Sequence, residues 1–155
     1  MLCGCSAQKR DLTAPLRETP GYGCRVTART RDKTYEFTFE KEEETYRVSL
    51  SEPLALSGFT VTLEEGEYRI GYKDIEFKTG TLPAPVETVL GPLFLMVDAA
   101  AGQAGEQDGE GLWSFTVAGK EYTCRFHGQT GVPLSLRVGD EYQLEFADFT
   151  YRGKD

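Results

Sequence analysis

The segment TYEFTFE, residues 34–40, decides the fold class because aromatic and polar side chains alternate in it with a period of two. Tyr35, Phe37 and Phe39 would point to one face of a strand, and the threonines and glutamates between them to the other. This alternation is typical of a β-strand with one buried and one solvated face. The same pattern recurs on both sides of the segment, at residues 24–28, 46–50, 59–63, 68–72 and 75–77. The first half of the chain is therefore predicted to form a meander of short antiparallel strands.

A different spacing follows between residues 81 and 101. Apolar residues recur there at three- and four-residue intervals, namely Val86, Val89, Leu90, Leu93, Phe94 and Val97. This spacing predicts a helix. Pro92 leaves two alternatives, one helix kinked at the proline or a short turn followed by a second helix that begins there. The apolar run is far shorter than the roughly 20 residues needed to cross a bilayer, so we expect the helical segment to pack on protein.

A second alternating region occupies residues 113–117, 122–126, 134–138 and 142–146. Glu65-Gly66 in the first region and Gly139-Asp140 in the second are typical of tight hairpin turns. Residues 101–111, which are mostly Gly, Ala, Gln and acids, are predicted to form a mobile loop. The pattern as a whole predicts a mainly β (α+β) fold. We expect a single antiparallel sheet of about 9–11 strands, curled into an open half-barrel, with a kinked helical lid inserted between two meanders.

Composition excludes several function classes. The chain has 155 residues, of which 39% are hydrophobic and 27% charged, a balance typical of a globular domain. Its net charge of -8 would repel a phosphate backbone, so no nucleic acid is expected as a partner. One histidine, His127, and four cysteines offer little material for a metal site or a histidine-dependent active site. We therefore expect no metal, no cofactor and no enzymatic activity, and a hydrolase is the least favoured alternative.

The N-terminal residues carry a possible anchor. Leu2-Cys3-Gly4-Cys5 resembles the lipobox of bacterial lipoproteins, in which the last cysteine is lipidated, and Cys5 would be that residue. The alternative is that Cys3 and Cys5 are two ordinary cysteines at a chain end. Residues 1–20 are predicted to be this lipobox-like segment and a polar tether, and residues 21–155 a single half-barrel domain. The lipoprotein interpretation places the protein in the cell envelope, anchored to the outer face of a bacterial membrane.

Two further cysteines lie within predicted strands. Cys24 and Cys124 both have hydrophobic neighbours two residues away, so both are expected to face inward. In an exported protein they could form a disulfide, which would close a loop of about a hundred residues. Two separate buried thiols are the equally open alternative, because cysteine is among the most buried residue types.

The order of the predicted elements resembles the LolA/LolB/LppX-like lipoprotein carriers of bacterial envelopes. The similarity rests on a strand meander, a helix after the Leu-Pro-rich turn LPAP at residues 82–85, and a second meander. Local phrases that resemble the group are LALSGFTV at residues 54–61 and YTCRFHGQTGVP at residues 122–133. The resemblance implies an open barrel with a helical lid over an apolar pocket that accepts acyl chains.

The aromatic inner face is the candidate binding site. Its predicted members are Tyr35, Phe37, Phe39, Tyr46, Phe59, Tyr68, Leu90, Leu93, Phe94, Trp113, Phe115, Phe126 and Phe146. Taken singly, each is better explained as plain core, and as a set they would line a cavity only if one narrow helix leaves the concave face incompletely filled. The first hypothesis is an envelope lipoprotein that binds lipid or lipoprotein acyl chains and contacts the membrane surface through its anchor. The alternative is an envelope scaffold or interaction module, with a fully packed barrel and an envelope protein as partner.

Overall fold

The computed structural model describes residues 10–153 and contains one antiparallel sheet of 11 strands. The first meander comprises β1 (Gly21–Arg29), β2 (Thr34–Glu42), β3 (Thr45–Glu52), β4 (Thr60–Glu64), β5 (Glu67–Tyr72) and β6 (Ile75–Thr79). The second comprises β7 (Glu106–Gln107), β8 (Leu112–Val117), β9 (Lys120–Phe126), β10 (Pro133–Val138) and β11 (Tyr142–Arg152). Two helices, α1 (Ala14–Glu18) and α2 (Ala84–Ala101), and a 3₁₀ turn (Leu54–Leu56) complete the fold.

The sheet is open, and its strand order explains its shape. The order β6-β5-β4-β3-β2-β1-β11-β10-β9-β8-β7 places the two meanders side by side, joined where the first strand pairs with the last. Gly66 and Gly139 have positive φ in the hairpin turns predicted at those positions. Twisted strands of this number must curl, and the result confirms the predicted mainly β, open half-barrel with a helix inserted between two meanders.

Helix α2 crosses the concave face of this half-barrel. It runs without interruption from Ala84 to Ala101 with Pro92 inside it, so the alternative of two separate helices is wrong. Pro92 has no N–H, and the carbonyl of Thr88 therefore lacks its usual helical donor. The helix residues that the fold buries are Val89, Leu90, Leu93, Phe94, Met96, Val97 and Ala100. The core of the domain lies between this face of α2 and the sheet.

Residues 10–20 pack on the domain through the short helix α1. Leu16 is buried in the core, and the ammonium of Lys41 donates hydrogen bonds to the carbonyls of Leu16 (3.3 Å) and Thr19 (2.9 Å). Arg17 donates to the carbonyl of Ala100 at the end of α2. The sequence pattern, which indicated only a polar tether, did not predict this helix. Cys5 and the lipobox-like segment lie outside the described residues.

The segment between α2 and β8 is held in place, contrary to the mobile loop expected at residues 101–111. Within it, β7 pairs with β8, and the indole N–H of Trp113 donates to the carbonyl of Ala104 at 2.9 Å. The side chain of Gln107 accepts a hydrogen bond from the N–H of Leu12. This edge of the sheet is therefore both short and covered by the start of the described chain.

Candidate ligand-binding site

One row of side chains across the sheet shows how the concave face is covered. Successive cross-strand partners from β1 to β6 lie on the same face, and the row runs Cys24, Phe39, Val48, Val61, Ile70, Phe77. Every member is buried except the last, Phe77 on β6, which is 49% exposed. The cover over the concave face therefore ends before the last strand of the first meander.

The reach of α2 explains where the cover ends. Phe94 of the helix contacts the ring of Phe39 on β2, with centroids 6.4 Å apart, and the ring of Tyr68 on β5, with centroids 5.6 Å apart. Both contacts are edge-to-face, the favourable geometry for aromatic pairs. Since α2 reaches β5 but leaves β6 uncovered, the apolar face of β6 is left to solvent.

Five side chains form the uncovered region, which we call the open-end patch: Leu54, Phe59, Tyr72, Ile75 and Phe77. Leu54 and Ile75 are 83% and 68% exposed, whereas Phe59 and Tyr72 are half-buried. The rings of Phe59 and Tyr72 are 6.3 Å apart, and the Tyr72 hydroxyl donates to the carbonyl of Ala55 at 3.4 Å. These contacts fix a small apolar surface with an aromatic floor beside the free end of the sheet.

The thirteen predicted site residues divide between the core and its margin. Those buried under or within α2 are Phe37, Phe39, Leu90, Leu93, Phe94, Trp113, Phe115, Phe126 and Phe146. Those partly buried are Tyr35, Tyr46, Phe59 and Tyr68. Of the whole set, only Phe59 belongs to the open-end patch. The sequence analysis did not identify the other four patch residues. A signal was available for two of them: Ile75 and Phe77 lie in the last strand of the first meander, which is followed by a helix and not by another strand.

We call the face beneath α2 the covered half, and side chains fill it. Trp113 and Phe115 have ring centroids 4.7 Å apart, and Phe115 and Tyr122 stack at 4.9 Å with planes inclined by 6°. The sulfur atoms of Cys124 and Met96 are 4.0 Å apart between β9 and α2. A ligand could enter this region only by displacing side chains that are already buried against one another.

One polar group in the covered half has no partner. The hydroxyl of Tyr22 is buried and makes no hydrogen bond within the described residues. Its ring lies against Phe39, Phe149 and Tyr151, with centroids 5.2 to 6.0 Å away. Burial raises the pKa of this phenol well above its usual value. The hydroxyl therefore remains protonated and is an energetic liability in the core.

Cys24 and Cys124 are both buried free thiols in the structure. Burial raises the pKa of the Cys24 thiol to about 12 and raises that of Cys124 as well. A thiol that stays protonated is a poor nucleophile. The geometry thus favours two inert core cysteines over reactive ones.

A groove of about 1020 Å³ lies between α2 and the hairpin turns at one end of the sheet. Pro92 and Leu95 line its helix side, and Tyr122 and Tyr142 its floor. The Tyr142 hydroxyl donates to the carbonyl of Val89, which ties this floor to the helix. Charged residues of both signs line the remainder, namely Arg31, Asp32, Glu87, Lys120, Glu121, Asp140 and Glu141. The floor tyrosines are themselves buried, so they offer little apolar surface to a ligand.

Other kinds of site find little support. No group of three or more His, Cys, Asp or Glu within residues 10–153 is arranged to hold a metal ion. The imidazole Nδ1 of His127 accepts hydrogen bonds from the N–H groups of Gln129 and Thr130, so the side chain closes its own turn. None of the helices in the described part of the chain is long and apolar enough to span a membrane.

Comparison with known structures places the fold among solved proteins. An uncharacterized conserved protein from Thermus thermophilus superposes with a TM-score of 0.59 at 12% identity, covering 92% of this chain and 85% of that one. A LolA superfamily protein from Nitrosomonas europaea (TM-score 0.41, 8% identity, 92% of each chain) and the lipoprotein LppX from Mycobacterium tuberculosis (0.44, 11%, 92% and 97%) are also similar. No family model matches the chain, and no curated protein sequence matches it significantly. At such identities the likeness shows the fold alone.

Proposed function

We propose that the protein binds an acyl chain, or another elongated apolar ligand, non-covalently at the open-end patch. The observation that carries this proposal is the break in burial along one face of the sheet, where Ile70 is buried and Phe77 beside it is 49% exposed. Exposed apolar surface next to a core, bounded by aromatic rings, is the kind of surface that ligands cover. No bond is made or broken in this proposal, and no catalytic residue is assigned.

The size of the patch suits an alkyl chain. The two spacings between β4 and β6 span about 10 Å, which accommodates a short run of methylene groups. Each methylene removed from water contributes about 0.8 kcal/mol. Phe59 and Tyr72 would contact the chain from the floor, and Leu54 and Ile75 would flank it. The covered half is already filled, so the ligand would lie at the patch and not beneath α2.

The proposal includes the envelope setting. If Cys5 is lipidated, the five residues to Arg10 limit the distance between the domain and the bilayer to about 17 Å. Arg10 lies beside Gln129 and Gly131 in the β9–β10 connection, so that end of the half-barrel would face the membrane. The patch, at the β3–β4 and β5–β6 turns, lies at the opposite end of the strands. A protein held this way on the outer face of a bacterial membrane would present its patch away from its own membrane.

Binding of a fluorescent fatty acid, cis-parinaric acid, with palmitate as competitor, tests this function. We expect saturable binding to the protein and at least about a tenfold loss of affinity in the double variant Ile75→Ser with Phe77→Ser. Leu134→Ser is the matched control, since Leu134 is also an exposed apolar residue, 37% exposed, but lies on β10. Unchanged affinity in the double variant, or an equal loss in the control, would overturn the assignment of the patch.

The interaction-module alternative predicts a different outcome. If the protein takes up neither cis-parinaric acid nor native lipid detectable by mass spectrometry, while cross-linking captures one defined envelope protein, the packed half-barrel acts as a scaffold. The filled covered half is the observation that favours this second candidate.

A further inference from the structure

The two edges of the sheet differ in how they are protected. Edge β7 is two residues long, and the side chain of Gln107 contacts the backbone of both Leu12 and Arg10. Edge β6 is five residues long and pairs only with β5 among the described residues. It contains no proline and no bulge, which are two of the devices that prevent edge pairing, and its only charged side chains are Glu76 and Lys78. The outer N–H and C=O groups of β6 are therefore available to another strand.

The β5–β6 hairpin determines which of these groups point outward. Its turn consists of Lys73 and Asp74, so the flanking residues Tyr72 and Ile75 form the hydrogen-bonded pair that closes it. Pairs alternate along an antiparallel ladder, so Phe77 also directs its backbone groups toward β5. Glu76 and Lys78 consequently direct their N–H and C=O groups away from the sheet.

Two copies of β6 could pair antiparallel through these outward groups in three registers. The registers differ in which charged side chains they place opposite each other. A register centred on Glu76 places two glutamates directly opposite each other, and one centred on Lys78 does the same with two lysines. Like charges opposite each other are destabilising. Only the register centred on Phe77 places each Glu76 opposite Lys78 of the second copy.

We infer that β6 is a self-association edge, through which two copies of the chain pair antiparallel about Phe77. About four backbone hydrogen bonds would form, two for each Glu76–Lys78 pair. The phenylalanines would meet as a non-hydrogen-bonded pair, in which side chains approach most closely. Within each chain, Lys78 stands directly opposite Arg69, a like charge. Arg69 already pairs with Glu76 of its own chain at 3.1 Å, and in the proposed register that Glu76 carboxylate would also lie opposite Lys78 of the second copy.

The pairing would join two half-barrels edge to edge. Because the new strand adds in the plane of the sheet, the concave faces stay open and the two open-end patches become continuous. An interface of one short strand pair is smaller than the roughly 1,200 Å² of stable complexes. We therefore expect a weak dimer, with a Kd between micromolar and millimolar.

Sedimentation velocity of the full chain from about 10 μM to about 1 mM, with charge-swap variants, tests the register. Glu76→Lys and Lys78→Glu should each weaken the dimer at least about tenfold, because each places like charges opposite each other. The double variant E76K/K78E exchanges the signs and should restore dimerisation to near the parent value. A monomer throughout the range, or single variants that dimerise as well as the parent, would overturn the inference. None of these variants alters an open-end patch side chain, so a failed dimer leaves the ligand proposal intact.

Disulfide trapping checks the geometry independently of affinity. With Cys3 and Cys5 replaced by serine and the buried Cys24 and Cys124 retained, Phe77→Cys should form a covalent dimer under mild oxidation. Ile75→Cys should not, since in this register residue 75 lies opposite residue 79 of the second copy and far from its own counterpart. Trapping at position 75, or none at position 77, contradicts the pairing.

Discussion

The covered half and the open-end patch are built from the same kind of strand, yet they differ in exposure. Phe39 on β2 and Phe77 on β6 lie in one row across one sheet, and both alternate with polar or charged neighbours. Phe39 is fully buried because Phe94 of α2 contacts it, whereas Phe77 is 49% exposed because α2 reaches no further than β5. The difference shows that the reach of the helix, and not the composition of the strands, sets where apolar surface remains free.

The largest effect should come from comparing Phe39→Ala with Phe77→Ala. Truncating the buried ring leaves a cavity under α2 and should lower the free energy of unfolding by about 3–5 kcal/mol. Truncating the exposed ring should lower it by about 1 kcal/mol or less. Urea unfolding followed by Trp113 fluorescence measures both, since Trp113 is buried in the covered half. Equal losses would mean that β6 packs as tightly as β2, and the open-end patch would not exist.

Sequence periodicity identified the strands and the helix but could not distinguish these two phenylalanines. The alternation at residues 34–40 and 75–77 is the same because it reports only which face of a strand is apolar. Whether that face is covered depends on the pairing of β1 with β11, which makes β6 an edge, and on how far α2 extends across the sheet. Both are features of the tertiary structure that leave no pattern in the local sequence.

The same limit applies to short packed segments. Leu16 is the only buried apolar residue of the five-residue α1, and a single buried residue cannot produce a helical repeat in the sequence. The pairing of β7 and the hydrogen bond from Trp113 likewise order a segment whose composition is typical of a loop. The turns at Gly66 and Gly139 were predictable, in contrast, because positive φ is a local requirement that favours glycine.

Two glycines with positive φ extend the comparison to the backbone. At Gly105, beside the covered half, an added Cβ would lie 2.4 Å from the Ser114 carbonyl oxygen and 2.6 Å from Nε1 of Trp113. At Gly58, beside the open-end patch, it would meet nothing within 4 Å. Gly58→Ala should cost about 1–2 kcal/mol for the backbone conformation alone. Gly105→Ala should cost about 2–4 kcal/mol, because overpacking adds to it.

Thermal and urea unfolding of the two alanine variants provide the measurement. The near-ultraviolet circular dichroism of Trp113 should change in Gly105→Ala, since the hydrogen bond to Ala104 shifts, and stay unchanged in Gly58→Ala. A larger loss at Gly58 than at Gly105 would contradict the assignment of the tightly packed region.

A smaller effect, of opposite sign, is expected from Tyr22→Phe in the covered half. Removing the buried hydroxyl that has no partner within the described residues should raise the free energy of unfolding by about 1 kcal/mol. Burial is the main reason that the folded-state pKa of Tyr22 is raised. Below pH 10 the phenol is neutral in both states, and above pH 10 the unfolded state ionises first, so the free energy of unfolding falls as pH rises. The variant should therefore lose less stability than the parent protein above pH 10. Destabilisation by Tyr22→Phe would show instead that the hydroxyl has a partner in solution.

The smallest effect concerns the ion pair that helps hold α1 against the covered half. Arg17 donates to the Asp11 carboxylate at 2.8 Å, and this hydrogen bond is the main reason that the pKa of Asp11 lies below its usual value of 3.8. Because the folded-state pKa is lowered, the stabilisation is present above pH 3.8 and is lost as pH falls through the folded value. Asp11→Asn should thus cost less than about 0.5 kcal/mol at pH 7, as is usual for exposed pairs, and nothing in strong acid.

Asp148→Asn is the matched control for Asp11→Asn. Asp148 also pairs with an arginine, Arg25, at 2.8 Å, but both side chains are 71% exposed and neither joins a helix to the core. Hydrogen exchange at the amides of Leu16 and Arg17, which donate to the Thr13 carbonyl, should quicken in Asp11→Asn and stay at the parent rate in Asp148→Asn. Equal exchange in the two variants would mean that the ion pair does not help to hold α1 in place. The packing of Leu16, the hydrogen bonds of Lys41 and the hydrogen bond from Arg17 to the Ala100 carbonyl would then hold it.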